Sequence, residues 1–221
     1  MHFLKQNRPI PLPDAPLFAS IGEKERESLL ACLGAREKRY AKGAPLLGAG
    51  ETTVHFGLVL SGTLRIVKED YNGNTILLAL VSPGELFAEA FAAGGFPLTV
   101  SVLAEEDVSV LWLDYRRLLT PCQNACPFHA VLAGNLLRIL GHKNLFLTSR
   151  IEHLSKKSLG EKVLSYLSEQ VVRQGSRHFT IPLNRQALAD YLAADRSALS
   201  AVLSRLQKEG VLTFPKNEFT L

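Results

Sequence analysis

The hydrophobic pattern of this chain changes period partway along, and that change limits the folds open to it. From Ala44 to about Leu113, short apolar runs alternate with polar residues between turn signals. From Pro127 onward, apolar residues recur at three- and four-residue spacing. The first pattern is that of several short strands, which form a barrel or sandwich. The second is helical. Strand-rich and helix-rich segments following one another in this way predict an α+β chain.

Within the strand region, His55–Leu60 alternates in places, Ser61-Gly62 reads as a turn, and Thr63–Glu69 alternates again. Asn72-Gly73 is a strong hairpin signal, because a type I′ turn needs positive φ at both central positions. Thr75–Val81 is a further β-run, ended by Ser82-Pro83-Gly84, and Leu98–Ala104 and Val108–Leu113 complete the set. Ahead of them, residues 14–40 read as helical in short pieces. Ser20 is the expected cap of a helix there, with Glu23 completing a capping box.

A long helix is expected from Pro127, with apolar or helix-facing positions at Val131, Leu132, Asn135, Leu136, Ile139, Leu140, Lys143, Phe146, Leu147 and Ile151. One side of such a helix covers a barrel. The other side has apolar surface left over, which a second copy of the chain would cover. Ser158 and Glu161 predict a further capped helix running to Gln174 and closed by Gly175, and Phe179–Ile181 reads as a short strand.

The most specific stretch is Pro182–Leu221. Asn184 is placed to cap a helix Arg185–Leu192, Ala193-Ala194 to turn, and Asp195 to cap a second helix ending at Gly210. Leu199, Val202, Leu203 and Leu206 share the inner face of that second helix. Val211–Thr213 and Glu218–Leu221 are strand-like around the turn Pro215-Lys216-Asn217. Two short helices, a tight turn and a hairpin make a winged helix-turn-helix. Its second helix would expose Arg196, Ser197, Ser200, Ser204 and Arg205. Residues near its start are those that reach base edges in a major groove. A bidentate arginine–guanine contact at Arg196 would contribute about 1–3 kcal/mol of discrimination. Asn184, Arg185 and Gln186 open the first helix, where backbone N–H groups and polar side chains hold phosphate.

Charge agrees with that placement. Residues 1–149 carry 14 Lys+Arg and 14 Asp+Glu, whereas residues 150–221 carry 11 and 7, so the whole net charge of +4 lies in the last third. Segregated positive charge suits a polyanion, since neutralising phosphates releases counterions. No apolar run approaches the roughly 20 residues of a membrane span. The proline-rich start lacks the apolar core of an export signal, so a cytoplasmic protein is expected. Three cysteines, Cys32, Cys122 and Cys126, then read as reduced thiols. Cys122, Cys126 and His129 stand at helical spacing and form a weak candidate metal or redox set, one ligand short of a closed zinc site and interrupted by Pro121 and Pro127.

The segment Arg196–Gly210 resembles the recognition helix of the family of the cyclic AMP receptor protein and the fumarate–nitrate reduction regulator. Gly84–Ala90 resembles that family's turn and short helix over the ligand pocket, and Ser61-Gly62 its barrel turn. The resemblance runs from Pro16 onward. It implies a double-stranded β-helix sensor (a β-roll of the cyclic-nucleotide-binding type), a long dimerisation helix and a winged helix-turn-helix. The corresponding segments are 1–123, 124–152 and 153–221. Arg196 matches a base-reading arginine. Ser197 and Ala201 stand where related members often carry Glu and Arg, so a different half-site is expected. Glu89 matches the ribose-binding glutamate, or else caps its own short helix. Leu98-Thr99 stands where a phosphate-holding Arg-Ser or Arg-Thr pair belongs, and an apolar side chain cannot neutralise a phosphate. The expected effector is therefore a small molecule other than cyclic AMP. Its candidate lining residues are Leu86, Phe87, Glu89 and Thr99, with Asn135, Arg138 and His142 from the long helix. With Cys32 standing alone near the N-terminus, no iron–sulfur cluster is expected.

The sequence thus predicts a homodimeric transcription regulator whose partners are double-stranded DNA, a second copy, a small-molecule effector and RNA polymerase, with no membrane. An enzyme is not expected. A cupin-type metal barrel needs several clustered His and Glu ligands, and a single histidine, His55, lies between Ala44 and Leu113.

Overall fold

Strands begin earlier in this molecule than the alternation predicts. The computed structural model describes residues 12–120, 128–215 and 217–221. Its first unit, Met1–Leu140, opens with a 3-10 turn at Pro16–Phe18 and α1 at Glu23–Cys32. The strands and short helices follow as β1 Arg36–Tyr40, β2 Pro45–Leu47, β3 His55–Ser61, β4 Leu64–Glu69, β5 Thr75–Val81, β6 Leu86–Phe87, α2 Glu89–Gly94, β7 Ser101–Ala104, β8 Val108–Asp114 and α3 Tyr115–Leu119. The second unit, Gly141–Leu221, holds α5 Leu159–Gln174, β9 His178–Thr180, α6 Arg185–Tyr191, α7 Arg196–Lys208 and β10 Glu218–Thr220. The helix α4, Phe128–Leu154, begins in the first unit and ends in the second. The chain is therefore α+β, with a strand-built first part, a long helix and a helix-turn-helix. Among the described residues, no helix is long and apolar enough to cross a membrane.

Two four-stranded antiparallel sheets make the first unit, in the orders β1-β8-β3-β6 and β2-β7-β4-β5. Val59, Leu64, Phe87, Val102 and Val110 form one buried cluster. A second cluster joins Leu17, Phe18, Leu29 and Leu33 to Phe56, Leu58, Leu111 and Leu113, and to Leu132 and Leu136 of α4. Each such side chain contributes about 1.5–3 kcal/mol on burial. The expected helical reading of residues 36–40 is corrected. These charged residues pair along β8, with Arg36 opposite Trp112 and Tyr40 opposite Val108, and tertiary pairing overrides their weak strand propensity. The single tryptophan, Trp112, donates from Nε1 to the Tyr40 hydroxyl at 3.0 Å and meets Phe87 edge-on with ring centroids 5.3 Å apart.

Three further local readings are revised. Ser20 does not cap α1, since the N-cap is Gly22 with no side-chain cap bond, and Ser20 itself has φ +62°. The β4–β5 turn is not type I′. Asn72 has no positive φ; the Gly73 N–H reaches the Asp70 carbonyl at 3.0 Å and Gly73 alone takes φ +82°. The Asp70 carboxylate accepts from the Asn72 and Asn74 N–H groups at 2.8 and 2.9 Å, which selects this turn. Val211–Thr213 is not a strand of a terminal hairpin. Instead β10 pairs with β9, and Thr213 adds only a bridge to Thr220.

Other local signals hold. Ser158 and Glu161 form a reciprocal capping box at the start of α5, and Gly175 closes it in the left-handed region. Gly62 turns at φ +76°, and a Cβ there would collide with the Asp107 carbonyl. Ala88 and Ala193 adopt φ +60° and +50°, a region that costs an L-residue roughly 1–2 kcal/mol. Ala88→Gly and Ala193→Gly are each expected to raise unfolding free energy by about 0.5–1 kcal/mol once glycine's entropy cost is offset. Gly62→Ala is expected to lower it by more. Urea unfolding of the three variants measures both effects.

Candidate nucleic-acid interface and sensor turn

The second unit is organised around a leucine core. Val163, Leu167, Leu188, Leu192, Leu199 and Leu203 are fully buried together, with Phe179 and Phe219 of the two-stranded sheet. The Asn184 carboxamide oxygen accepts from the Ala187 N–H at 2.9 Å and starts α6. Ala193 then reverses the chain at φ +50°, and the Ala194 N–H closes on the Ala189 carbonyl at 3.0 Å. Asp195 precedes α7 in extended conformation, but its side chain makes no cap bond, so its expected capping role is positional only. Because α7 turns Leu199, Leu203 and Leu206 inward, it leaves Arg196, Ser197, Ser200, Ser204 and Arg205 exposed. Val202, expected on the inner face, is half-buried.

Not all of the expected interface residues are equally placed to leave the surface. Arg196 and Ser197 are exposed at the first turn of α7. The Ser200 hydroxyl donates to the Arg196 carbonyl at 2.9 Å, so an incoming partner meets it as an acceptor. Arg205 lies against the Gly160 backbone of α5 and pairs with Glu209 at 3.7 Å. Gln186 donates to Asp190 at 2.9 Å on the exposed side of α6. Arg185 departs furthest from expectation. Its guanidinium lies 4.6 Å from the Phe214 ring centroid and 5.2 Å from that of Phe219, and burial pushes its pKa down. A cation–π stack of this kind ties α6 to the last strand, in place of reaching straight for a phosphate.

A polar cluster that sequence reading missed fastens the end of α4 within this unit. His153 is 1% exposed, with Nε2 2.7 Å from Glu169 Oε2 and Nδ1 2.9 Å from the Ser165 hydroxyl. Ser149 donates to the same Glu169 oxygen at 2.5 Å. The rings of Tyr166 and Tyr191 lie 5.8 and 6.1 Å from the imidazole, and Arg150 lies 5.2 Å from the Tyr191 ring centroid. Burial pushes the Tyr166 hydroxyl up to about 12. For Glu169, burial raises the pKa, but the hydrogen bonds from Ser149 and His153 outweigh it and hold the carboxyl below 4.5. His153 and Glu169 belong to different helices, and no spacing in the sequence announces the pair.

The candidate effector turn, Gly84–Ala90, lies in the first unit. Leu86 and Phe87 are 3% and 1% exposed and belong to the core, so they back the turn instead of lining an open surface. Ala88, with its positive φ, leads into Glu89, which is buried at the first position of α2. Leu98 is buried and Thr99 is exposed. Asn135, a candidate effector contact, is buried and bonded within the chain. Its amide donates to the Leu17 carbonyl at 2.9 Å and the Ala19 carbonyl at 2.8 Å, and its oxygen accepts from Arg138 at 2.7 Å. This pair thus pins the N-terminal segment to α4. His142 is exposed and belongs to the second unit. His129 is buried, and neither ring nitrogen has a hydrogen-bond partner among the described residues. Cys122 and Cys126 lie outside the described residues, and no group of three candidate metal ligands occurs among those described.

Two family models match this chain, one in each unit. A family model described as a cyclic nucleotide-binding domain matches residues 37–124, and one described as a Crp-like helix-turn-helix domain matches residues 161–221. The chain is 27% identical over 201 residues to the cyclic AMP receptor protein of Thermus thermophilus, covering 90% of this chain and 88% of that one. It is 24% identical over 192 residues to the nitrogen fixation regulation protein FixK of Azorhizobium caulinodans, covering 82% and 73%. The crystal structure of the Thermus thermophilus catabolite activator protein matches with a TM-score of 0.51 and 26% identity, over 94% of this chain and 93% of that one. These relatives are regulators, not enzymes.

The depressed Glu169 pKa has a signed consequence. Its contribution to stability is fully present above the unfolded value of 4.5 and is lost as pH falls through the lower folded value. Unfolding free energy is therefore expected to fall with pH below 4.5, and less steeply in Glu169→Gln. Denaturant titrations between neutral and acid pH check the difference in slope.

Proposed function

The chain belongs to the CRP/FNR family of transcription regulators, and we propose that it acts as a homodimer that reads a palindromic operator under the control of a small molecule other than cyclic AMP. The observation that carries this reading is the exposed polar start of α7, held on a leucine core behind a tight turn. Arg196 contacts a guanine edge, and Ser197 and Ser200 contact neighbouring bases or phosphates. Asn184, Gln186 and Arg205 hold the backbone, while Arg185 acts mainly by holding the last strand in place.

Residues 1–123 form the sensor, 124–152 the dimerisation helix and 153–221 the DNA reader. Two copies of α7 set about 34 Å apart enter successive major grooves, and effector binding to the sensor changes that spacing through the long helix. The turn carrying Glu89 remains the proposed effector contact, with Leu86 and Phe87 behind it and Thr99 and Arg138 as further contacts. Buried, apolar Leu98 leaves no arginine at that position for a cyclic phosphate. No iron–sulfur cluster takes part, and the bound dimer works with RNA polymerase in the cytoplasm.

Selection of bound sequences from random duplex DNA tests the proposal. The wild type is expected to enrich a palindrome whose half-sites are centred about one helical turn apart. Arg196→Ala is expected to lose about 1–3 kcal/mol of discrimination at one position of each half-site. Added cyclic AMP is expected to leave the enrichment unchanged. Failure to enrich any sequence, with or without cell extract, would sink this reading.

A further inference from the structure

The last turns of α4 join the second unit with almost no apolar burial. Of residues 141–154, which belong to that unit, His153 alone is buried. Among the described residues, none of α4 enters the leucine core that holds α5, α6 and α7 together. Phe146 reaches the Tyr191 ring but stays 54% exposed. The contacts that fasten α4 are chiefly polar, and two residue pairs interlock to make them. Ser149 and His153 stand one turn apart on α4, and Ser165 and Glu169 one turn apart on α5. The Glu169 carboxylate accepts from both α4 residues, at 2.5 Å from Ser149 and 2.7 Å from His153 Nε2. With that ring nitrogen donating, Nδ1 of a neutral imidazole is an acceptor, and the Ser165 hydroxyl meets it at 2.9 Å. Arg150 adds a bond from Nε to the Tyr191 carbonyl at 3.3 Å. Tyr191 ends α6, just before the reversal at Ala193 that leads into α7.

We infer that this interlock sets the angle at which the DNA reader leaves α4, and that His153 and Glu169 thereby select the distance between operator half-sites. The inference rests on the homodimer and palindrome proposed above and adds to them residues that touch no base. An apolar contact tolerates sliding, because hydrophobic attraction is non-directional. A carboxylate held by two donors from one helix, beside an imidazole bonded at both nitrogens, has one fit in rotation and in register. A shift of one helical position would leave His153 buried without partners, which is costly. The scale is sufficient. Neighbouring spacings of two half-sites differ by about 3.4 Å, one base-pair step. An angular play of about 10° in a reader about 20 Å long moves its tip by the same amount. His153 and Glu169 are positioning residues in this scheme. Arg196 and its neighbours choose the bases, and the interlock chooses how far apart the two sets of bases lie.

Binding of the full chain to duplexes carrying two copies of the half-site recovered by the selection above, with centres about 8 to 13 base pairs apart, tests the inference. A duplex with a single half-site is the control. The wild type is expected to favour one spacing over its neighbours by about tenfold. His153→Leu and Glu169→Ala are each expected to flatten that preference to within about twofold, with affinity for the single half-site unchanged. His153→Gln keeps a donor toward Glu169 and is expected to restore most of the preference. Unchanged single half-site affinity also shows that the leucine core has folded, so either disrupting variant that retains it suffices. Wild-type spacing preference in such a variant would overturn the inference and leave the homodimer reading standing. Loss of single half-site binding in both variants, or His153→Gln behaving as His153→Leu does, would overturn it too. A wild type that binds half-sites with no preferred spacing would overturn the homodimer reading as well.

Discussion

Asn135 donates both amide hydrogens to carbonyls of the N-terminal segment, and His153 holds a serine on one ring nitrogen and a glutamate on the other. Both residues sit on α4, eighteen positions, or five turns, apart along one continuous helix. Each is a buried polar group on a helix face, and such groups are costly unless fully partnered. Together they fix which face of α4 turns inward at each end. The inward face near Asn135 is completed by Leu132 and Leu136, and the one near His153 by contact with Tyr166 and Tyr191. What is left over along the middle of the helix is exposed apolar surface, Leu137, Leu145, Phe146, Leu147 and Ile151. The open surface of this helix is therefore defined by its hydrogen bonds as much as by its leucines.

The second unit follows the same logic on a smaller scale. Positive φ at Ala193 sets the angle between α6 and α7, and the buried leucines of both helices hold it. Once Leu199, Leu203 and Leu206 are inside, helix geometry leaves Arg196, Ser197, Ser200 and Ser204 outside. The stack of Arg185 on Phe214 and Phe219 then joins the start of α6 to the final strand. The residue that reads as a phosphate contact from its place in the chain also has two aromatic neighbours here.

Local chemistry was legible in the sequence wherever the residues that decide a feature lie close together. The α5 helix was foreseen from Ser158 to Gly175 because its cap, capping-box partner and terminator all lie within the element. The helix-turn-helix was equally readable, since leucine spacing and the Asn184 cap are local. Features decided by distant residues were not. The charged residues of β1 form a strand because Val108–Trp112 pair with them. Asn72-Gly73 signalled the hairpin correctly, but the carboxylate of Asp70 chose the turn. Asn135 looked like a ligand contact because spacing places it on a helix face without saying what that face meets. The turn Gly84–Ala90 is readable as a local motif, while the burial of Leu86 and Phe87 depends on strands elsewhere in the sheet.

The single tryptophan has a practical consequence. Trp112 is bonded through its indole N–H to Tyr40 and lies edge-on to Phe87, the residue immediately before Ala88 and Glu89. Any displacement of that turn moves an aromatic ring against the indole and changes its electronic surroundings. With no other indole in the chain to mask the signal, intrinsic emission gives an optical readout of the turn proposed to contact the effector, without a label, a chromophore or a known effector. A library of small molecules can therefore be screened against the unmodified protein by fluorescence alone.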